Sequence, residues 1–270
     1  MPLFPPLNPP ITHWAGQRVW IIGASSGIGA ETALLLAERG AWVALSARRS
    51  DALEALRARF APGAGAAATV LPLDITDPAA VDRAAQTLLA RWDGLDLVLI
   101  AAGMYDALRA SSFNAAHLPV LRMVMDVNLM GTYHVLAATL PLLTRQGRGG
   151  IAIISSVAGY NGLPRALAYA PSKAALNNLC EGLYFELRPL GLAVYRICPG
   201  FIATAMTAGN NFTMPALLPA KAAASEIVNG MERGEFEIHF PKRFTYFLKV
   251  MSWLPRRLYF ILLRMGSRQV

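Results

Sequence analysis

Short continuous apolar runs bounded by turn residues alternate along this chain with longer stretches of helical period. The short runs read as buried strands and the longer ones as helices. Residues 18–22, 42–46, 69–73, 95–100, 151–155, 192–198 and 236–240 are runs of the first kind. Residues 30–39, 118–143, 169–187 and 220–231, and the stretch after Asp77-Pro78, carry the second. The alternation shows no internal repeat, so it predicts one α/β domain built on a doubly wound parallel sheet with helices on both faces. A proline-rich arm (1–15) precedes that domain (16–240), and a tail (241–270) follows it. Residues 201–219, rich in Thr, Asn, Met and Pro, have no strong period; they suit either a lid over a crevice or a plain surface loop.

Composition adds bounds. At 54% hydrophobic and 16% charged, the 270 residues supply ample material for a large core. Cys180 and Cys198 lie in apolar segments without metal-ligand spacing; they read as reduced core residues, with no metal site and an intracellular setting. Residues 1–10 lack a basic region leading into an apolar stretch, so no signal peptide is expected and the cytoplasm is the expected compartment. The net charge of +8 is local, because residues 238–270 hold seven basic side chains and no acidic one. In the tail, Thr245, Lys249 and Ser252 share one helical stripe with apolar and aromatic residues around the rest. After Pro255, Arg257, Arg264 and Arg268 fall along another, beside the apolar run 258–263. Six residues are too few for a spanning helix, which needs about 20. The tail therefore reads either as a peripheral anchor on the inner face of a membrane or as helices docked on the domain or across a dimer. Aromatics mixed with so much apolar surface argue against nucleic acid.

Candidate chemistry begins at Gly23-Ala-Ser25-Ser26-Gly27-Ile28-Gly29, between a strand and a helix. Glycines there permit a tight turn and close backbone approach, and the helix N-terminus offers N–H groups and a positive dipole to a pyrophosphate. The second strand runs into Arg48-Arg49 instead of an acidic residue, which suits the extra phosphate of NADP rather than the ribose hydroxyl of NAD. Asp74 suits either an adenine amino group or a helix cap. Asn128, inside a helix it disfavours, suits a kink, a water-holding site or a satisfied core amide. Tyr169 and Lys173, four apart, share a helix face, and Ser156 ends a strand thirteen residues upstream. An ammonium about 5 Å from a phenol, at an effective dielectric of about 20, is worth roughly 3 kcal/mol, or about two pKa units. That is enough to bring the phenol into range for proton exchange with a substrate oxygen held by the Ser156 hydroxyl.

Taken in order and spacing, the glycine turn, Asp74, Ala102-Gly103, Asn128, Ser156, Tyr169, Lys173 and Pro199-Gly200 resemble the short-chain dehydrogenase/reductase family over roughly residues 16–240. The resemblance implies a Rossmann-type sheet and hydride transfer between a nicotinamide cofactor, NADP(H) in preference to NAD(H), and a carbonyl or secondary alcohol carbon of a hydrophobic small molecule. It implies Tyr169 as general acid/base, Ser156 as the residue orienting the carbonyl, Lys173 on the nicotinamide ribose, and Asn128 holding a proton-relay water. It extends the cofactor contacts to Pro199, Gly200, Ile202 and Thr204, and implies a homodimer or homotetramer paired through long helices. Two departures stand out. Ala101-Ala102-Gly103 lacks the family's sheet-stabilising asparagine, for which a local packing substitute is expected, and Ile22 replaces a common threonine. The contrasting reading is a non-catalytic dinucleotide-binding scaffold or membrane-associated interaction protein.

Overall fold

Every strand run in the sequence has a strand in the computed structural model, which describes residues 5–60, 68–209 and 214–267. The strands β1 (Arg18–Ile22), β2 (Trp42–Ser46), β3 (Ala68–Val70), β4 (Leu97–Ile100), β5 (Gly150–Ile154), β6 (Ala193–Pro199) and β9 (Glu237–Phe240) form one parallel sheet in the order β3-β2-β1-β4-β5-β6-β9. Register aligns Ile21 with Leu45 on one side and Leu99 on the other, so the most apolar rows lie at the centre. Strand order reverses between β1 and β4, and such a switch opens a crevice beyond the carboxyl ends of the strands.

Helices cover both faces. One core lies between the sheet and α1 (Gly27–Glu38), α2 (Ser50–Arg57) and α7 (Ala220–Glu232), and the other between the sheet and α3 (Pro78–Trp92), α5 (Gly131–Gln146) and α6 (Tyr169–Leu187). Two helices, α8 (Lys242–Trp253) and α9 (Arg256–Ser267), complete the described chain. Among the described residues no helix is long and apolar enough to cross a membrane.

Three strands are shorter than their apolar runs: β9 by its first residue, β3 and β4 by two residues each. β3 ends at Val70, although Leu71 and Leu73 still donate to the Leu45 and Ala47 carbonyls; Pro72 falls between them, where its missing N–H costs the open edge of the sheet nothing. β4 begins at Leu97 instead of Leu95, because the Gln146 side chain satisfies both backbone groups of Leu95 (3.0 and 2.7 Å). The stretch expected as one helix over 118–143 is α4 (Leu118–Met125), a π-turn (Asp126–Met130) and α5 in direct succession. Within 201–219, a short parallel pair, β7 (Ile202–Ala203) with β8 (Leu218–Pro219), gives order to part of a segment that has no period in the sequence; residues 210–213 lie outside the described residues.

The arm and the tail both lie against the sheet's far edge. Asn8 donates to the Val194 carbonyl at 2.7 Å and accepts from the Val194 N–H at 3.1 Å. Phe244 of α8 stacks on Phe201 with ring centroids 5.7 Å apart, while Met251 and Tyr259 are buried. Of the tail's expected arginine stripe, Arg268 lies outside the described residues, as does the side chain of Arg264.

Candidate active site

A cavity of about 590 Å³ opens where the strand order switches. Gly23, Ser25, Ser26, Gly27, Ile28 and Gly29 floor one end, with Arg48, Arg49 and Asp74 at its rim. Ala102 and Gly103 border its middle, while Ser156, Tyr169, Lys173, Pro199, Gly200, Ile202 and Thr204 wall the other end. Of the residues singled out in the sequence, Asn128 alone does not line it.

The dinucleotide-like end is built by close approach. Gly23 has φ +93°, and a Cβ there would drive into the backbone of Ala101 and Ala102 on β4's exit loop. Ser26 is the N-cap of α1, yet its hydroxyl caps no backbone N–H, which leaves the first turn's donors facing the cavity. Arg48 and Arg49 are exposed at the end of β2, and Arg49 also lines a smaller cavity with Ser25, Ser26 and Gly27. This donor set fits a phosphorylated dinucleotide: uncapped amides for a pyrophosphate, then two guanidiniums one strand away. Asp74 does not cap α3. Asp77 does, accepting from Ala79 and Ala80, while the Asp74 carboxylate accepts from the N–H and hydroxyl of Thr76.

At the other end β5 delivers Ser156 and α6 delivers Tyr169 and Lys173. The Ser156 oxygen accepts from the Ala158 N–H at 3.1 Å, starting a short 3-10 turn, Val157–Gly159. That turn must pass close over α6, because a Cβ on Gly159 would come 2.7 Å from the carbonyl of Lys173. Ser155 reinforces the crossing by donating to the same carbonyl at 2.9 Å. Lys173 is 3% exposed, and its ammonium donates to the Ile154 carbonyl at 2.8 Å, lying 5.6 Å from the Tyr169 ring centroid. Tyr169 is half-buried and meets the edge of Tyr105 with centroids 5.2 Å apart.

The ammonium stands about where the spacing predicts, but it does not draw the phenol toward neutrality. Burial pushes Tyr169 up to about 12, against the hydrogen bond with Ser156 that lowers it. Burial also lowers Lys173 to about 8. Withdrawal from water dominates both shifts, so the pair is a protonated phenol beside an easily discharged amine.

Asn128 resolves as a satisfied core amide in the π-turn. Its oxygen accepts from the Met104 N–H at 2.7 Å, and its amide donates to the Met104 carbonyl and the Ser172 hydroxyl at 3.0 and 2.9 Å. It thereby ties the loop after β4, through Met104, to the first turn of α6. Met104, Met123, Val127 and Met206 line the cavity beside Tyr169, and no sequence signal pointed to them. Ser155 and Ser172 flank known motif positions, which is the one clue they offered.

Comparison with known proteins follows this geometry. The short chain dehydrogenase family model matches residues 17–214. A protein of Myxococcus xanthus (strain DK1622), named an uncharacterized oxidoreductase, is 37% identical over 241 residues, 88% of this chain and 93% of that protein. A short chain dehydrogenase from Burkholderia cenocepacia J2315, solved in complex with NADP, is similar with a TM-score of 0.79 and 25% identity over 93% of this chain and 99% of its own. A Brucella melitensis 16M structure described as a ribose-5-phosphate isomerase is also similar, with a TM-score of 0.74 and 25% identity over 84% of this chain and 93% of its own. Likeness of fold alone therefore leaves the chemistry to the side chains.

Proposed function

The chain belongs to the short-chain dehydrogenase/reductase family, and from that premise we propose an NADP(H)-dependent oxidoreductase acting on a carbonyl or secondary alcohol of a hydrophobic small molecule. One observation carries the reading: Ser156, Tyr169 and Lys173 converge on one end of a cavity whose other end is the glycine turn and two arginines. NADPH supplies a hydride when bound. The Tyr169 phenol, held protonated by burial, donates its proton to the oxygen that gains charge as the carbonyl is reduced. Ser156 hydrogen-bonds that oxygen and fixes its distance from the phenol. Lys173, fixed on the Ile154 carbonyl, holds the nicotinamide ribose and carries the positive charge beside the reacting phenol. Gly103 and Thr204, in the cavity wall, would border the nicotinamide, and Met104, Met123 and Met206 would supply an apolar wall for a hydrophobic substrate.

Ketone reduction followed by NADPH absorbance tests this. Tyr169→Phe is expected to lower kcat by about 10²–10⁴-fold, the usual worth of a positioned acid, with NADPH affinity within about twofold of the parent. A parent protein inert toward a broad panel of ketones and alcohols would instead favour the scaffold reading. Arg48→Asp combined with Arg49→Asp is expected to reverse the NADPH over NADH preference, since the guanidiniums would pair with the extra ribose phosphate that NADP has and NAD lacks. An unchanged ratio of kcat/KM values removes the phosphate assignment.

Pairing of two copies through the long helices is supported by the exposed Leu118, Met123, Met130 and Tyr133 on the α4–α5 side. Sedimentation equilibrium of Tyr133→Glu, expected to be monomeric, tests that contact.

A further inference from the structure

The tail helices are turned inside out relative to a solvated surface helix. The polar stripe of α8 faces the protein: the Thr245 hydroxyl meets His239 Nδ1 at 2.6 Å, and Lys249 donates to the Glu237 carboxylate at 2.5 Å. Tyr246, Phe247, Val250 and Trp253 point outward, with Trp253 88% exposed. On α9 the buried Tyr259 donates to the Gly162 carbonyl at 2.9 Å, and Leu258, Phe260, Ile261 and Leu262 are exposed. So large an exposed apolar face marks an interaction surface.

We propose that α8 and α9 form an interfacial anchor that seats the mouth of the cleft on an anionic bilayer, and that the substrate is a lipophilic carbonyl or alcohol taken from that lipid phase. The substrate half rests on the reductase reading; the anchor half does not.

Charge selects the occupant. Lys242 and Lys249 are drawn inward to Glu235 and Glu237, whereas Arg243 and Arg257 are exposed amid the outward aromatics without an ion pair among the described residues. The sequence places no carboxylate beyond Glu237. A second copy on this face would set arginine against arginine. Anionic headgroups instead meet guanidiniums whose stems lie along apolar surface, with Trp at the level of the headgroups. Each helix has 12 residues, about 18 Å long, too short to span a hydrocarbon core of about 30 Å and suited to lying in its surface.

Position ties the anchor to the cleft. Phe244 rests on Phe201, next to Gly200 of the cavity wall. Tyr259 and Arg256 hold Gly162 and Asn161, in the loop between Ser156 and Tyr169. Both helices therefore sit on the two segments that frame the substrate end.

Co-sedimentation of the full chain with phosphatidylcholine vesicles, with and without phosphatidylglycerol, tests the anchor. Binding is expected to require phosphatidylglycerol and to weaken as salt rises. Phe247→Ser, Trp253→Ser and Phe260→Ser together should lower vesicle affinity more than about tenfold, as should Arg243→Glu with Arg257→Glu, at unchanged melting temperature. Parent protein that stays in the supernatant overturns the anchor. Variants that change subunit number and not vesicle binding overturn it in favour of a subunit contact. For the substrate half, the serine variant should raise the KM of a long-chain ketone presented in vesicles about tenfold and leave that of a short soluble ketone unmoved; equal KM values overturn lipid-phase delivery. Tyr169→Phe separates the two readings, since it should sediment like the parent while losing turnover.

Discussion

Lys173 is the side chain on which electrostatics and function meet most directly. A buried ammonium with a backbone carbonyl as its partner loses its proton easily, and burial brings it down to about 8. Below that pH it is charged and able to hold ribose hydroxyls and support the phenol; above it the site is neutral. Because kcat/KM for the cofactor reports groups of the free enzyme, its value for NADPH should hold level through neutrality and fall as pH rises past about 8. Lys173→Arg, which stays charged, should carry the plateau to higher pH even at a lower overall rate. A parent profile flat to about pH 10 would sink this assignment. Spacing made the pairing of Tyr169 with Lys173 legible, because four residues on a helix fix a face. The phenol's upward displacement was not legible: it depends on how much water the folded cleft excludes, which no local motif encodes.

At the level of elements, the α4–π–α5 run holds the site open in the right shape. Asn128 sits in the π-turn, and from there its side chain bonds Met104 and Ser172. Asn128→Ala leaves the N–H and carbonyl of Met104 without their partner, while the Ser172 hydroxyl keeps the Tyr169 carbonyl. At about 1–3 kcal/mol for each buried group left unmade, the variant should melt well below the parent, and its kcat should fall more than its NADPH affinity. Coincident melting of the two proteins would show that water replaces the amide at no cost. A second expectation concerns Gly159→Ala, whose methyl would push the Val157–Gly159 turn off α6 and carry Ser156 with it. That change should lower kcat with far-UV dichroism intact. Sequence pattern captured α6 to the residue. It overran β3, which ends at Val70, and β4, whose start is set by Gln146, fifty-one residues from Leu95.

Taken whole, the molecule does not divide where its composition changes. Residues 241–270 differ sharply in charge and aromatic content from what precedes them, which makes a boundary near 240 legible and makes the tail read as an appendage. Yet Glu237, on the last strand of the sheet, accepts from Tyr160 at 2.7 Å and from Lys249 of α8 at 2.5 Å, with Arg196 at 3.4 Å. Burial alone would raise this carboxyl; Lys249 and Arg196 prevail and hold it below its ordinary value of 4.5. A carboxyl depressed by folding contributes stability that is fully present above its unfolded pKa and is lost as pH falls through the folded one. The contribution of Glu237 to the parent melting temperature should therefore hold from about pH 7 to about 5 and be lost as pH is lowered below about 4.5. Lys249→Met removes one cation and leaves a half-paired carboxylate, costing about 1–3 kcal/mol, or roughly 2–8 °C of melting temperature, near neutrality. Its remaining acid-dependent drop should be smaller than the parent's, because less of the depression is left to lose. A variant that melts with the parent at both pH values would mean that α8 contributes nothing to the sheet edge. A smaller gap in acid than at neutrality would place the tail inside the cooperative unit that shapes the cleft.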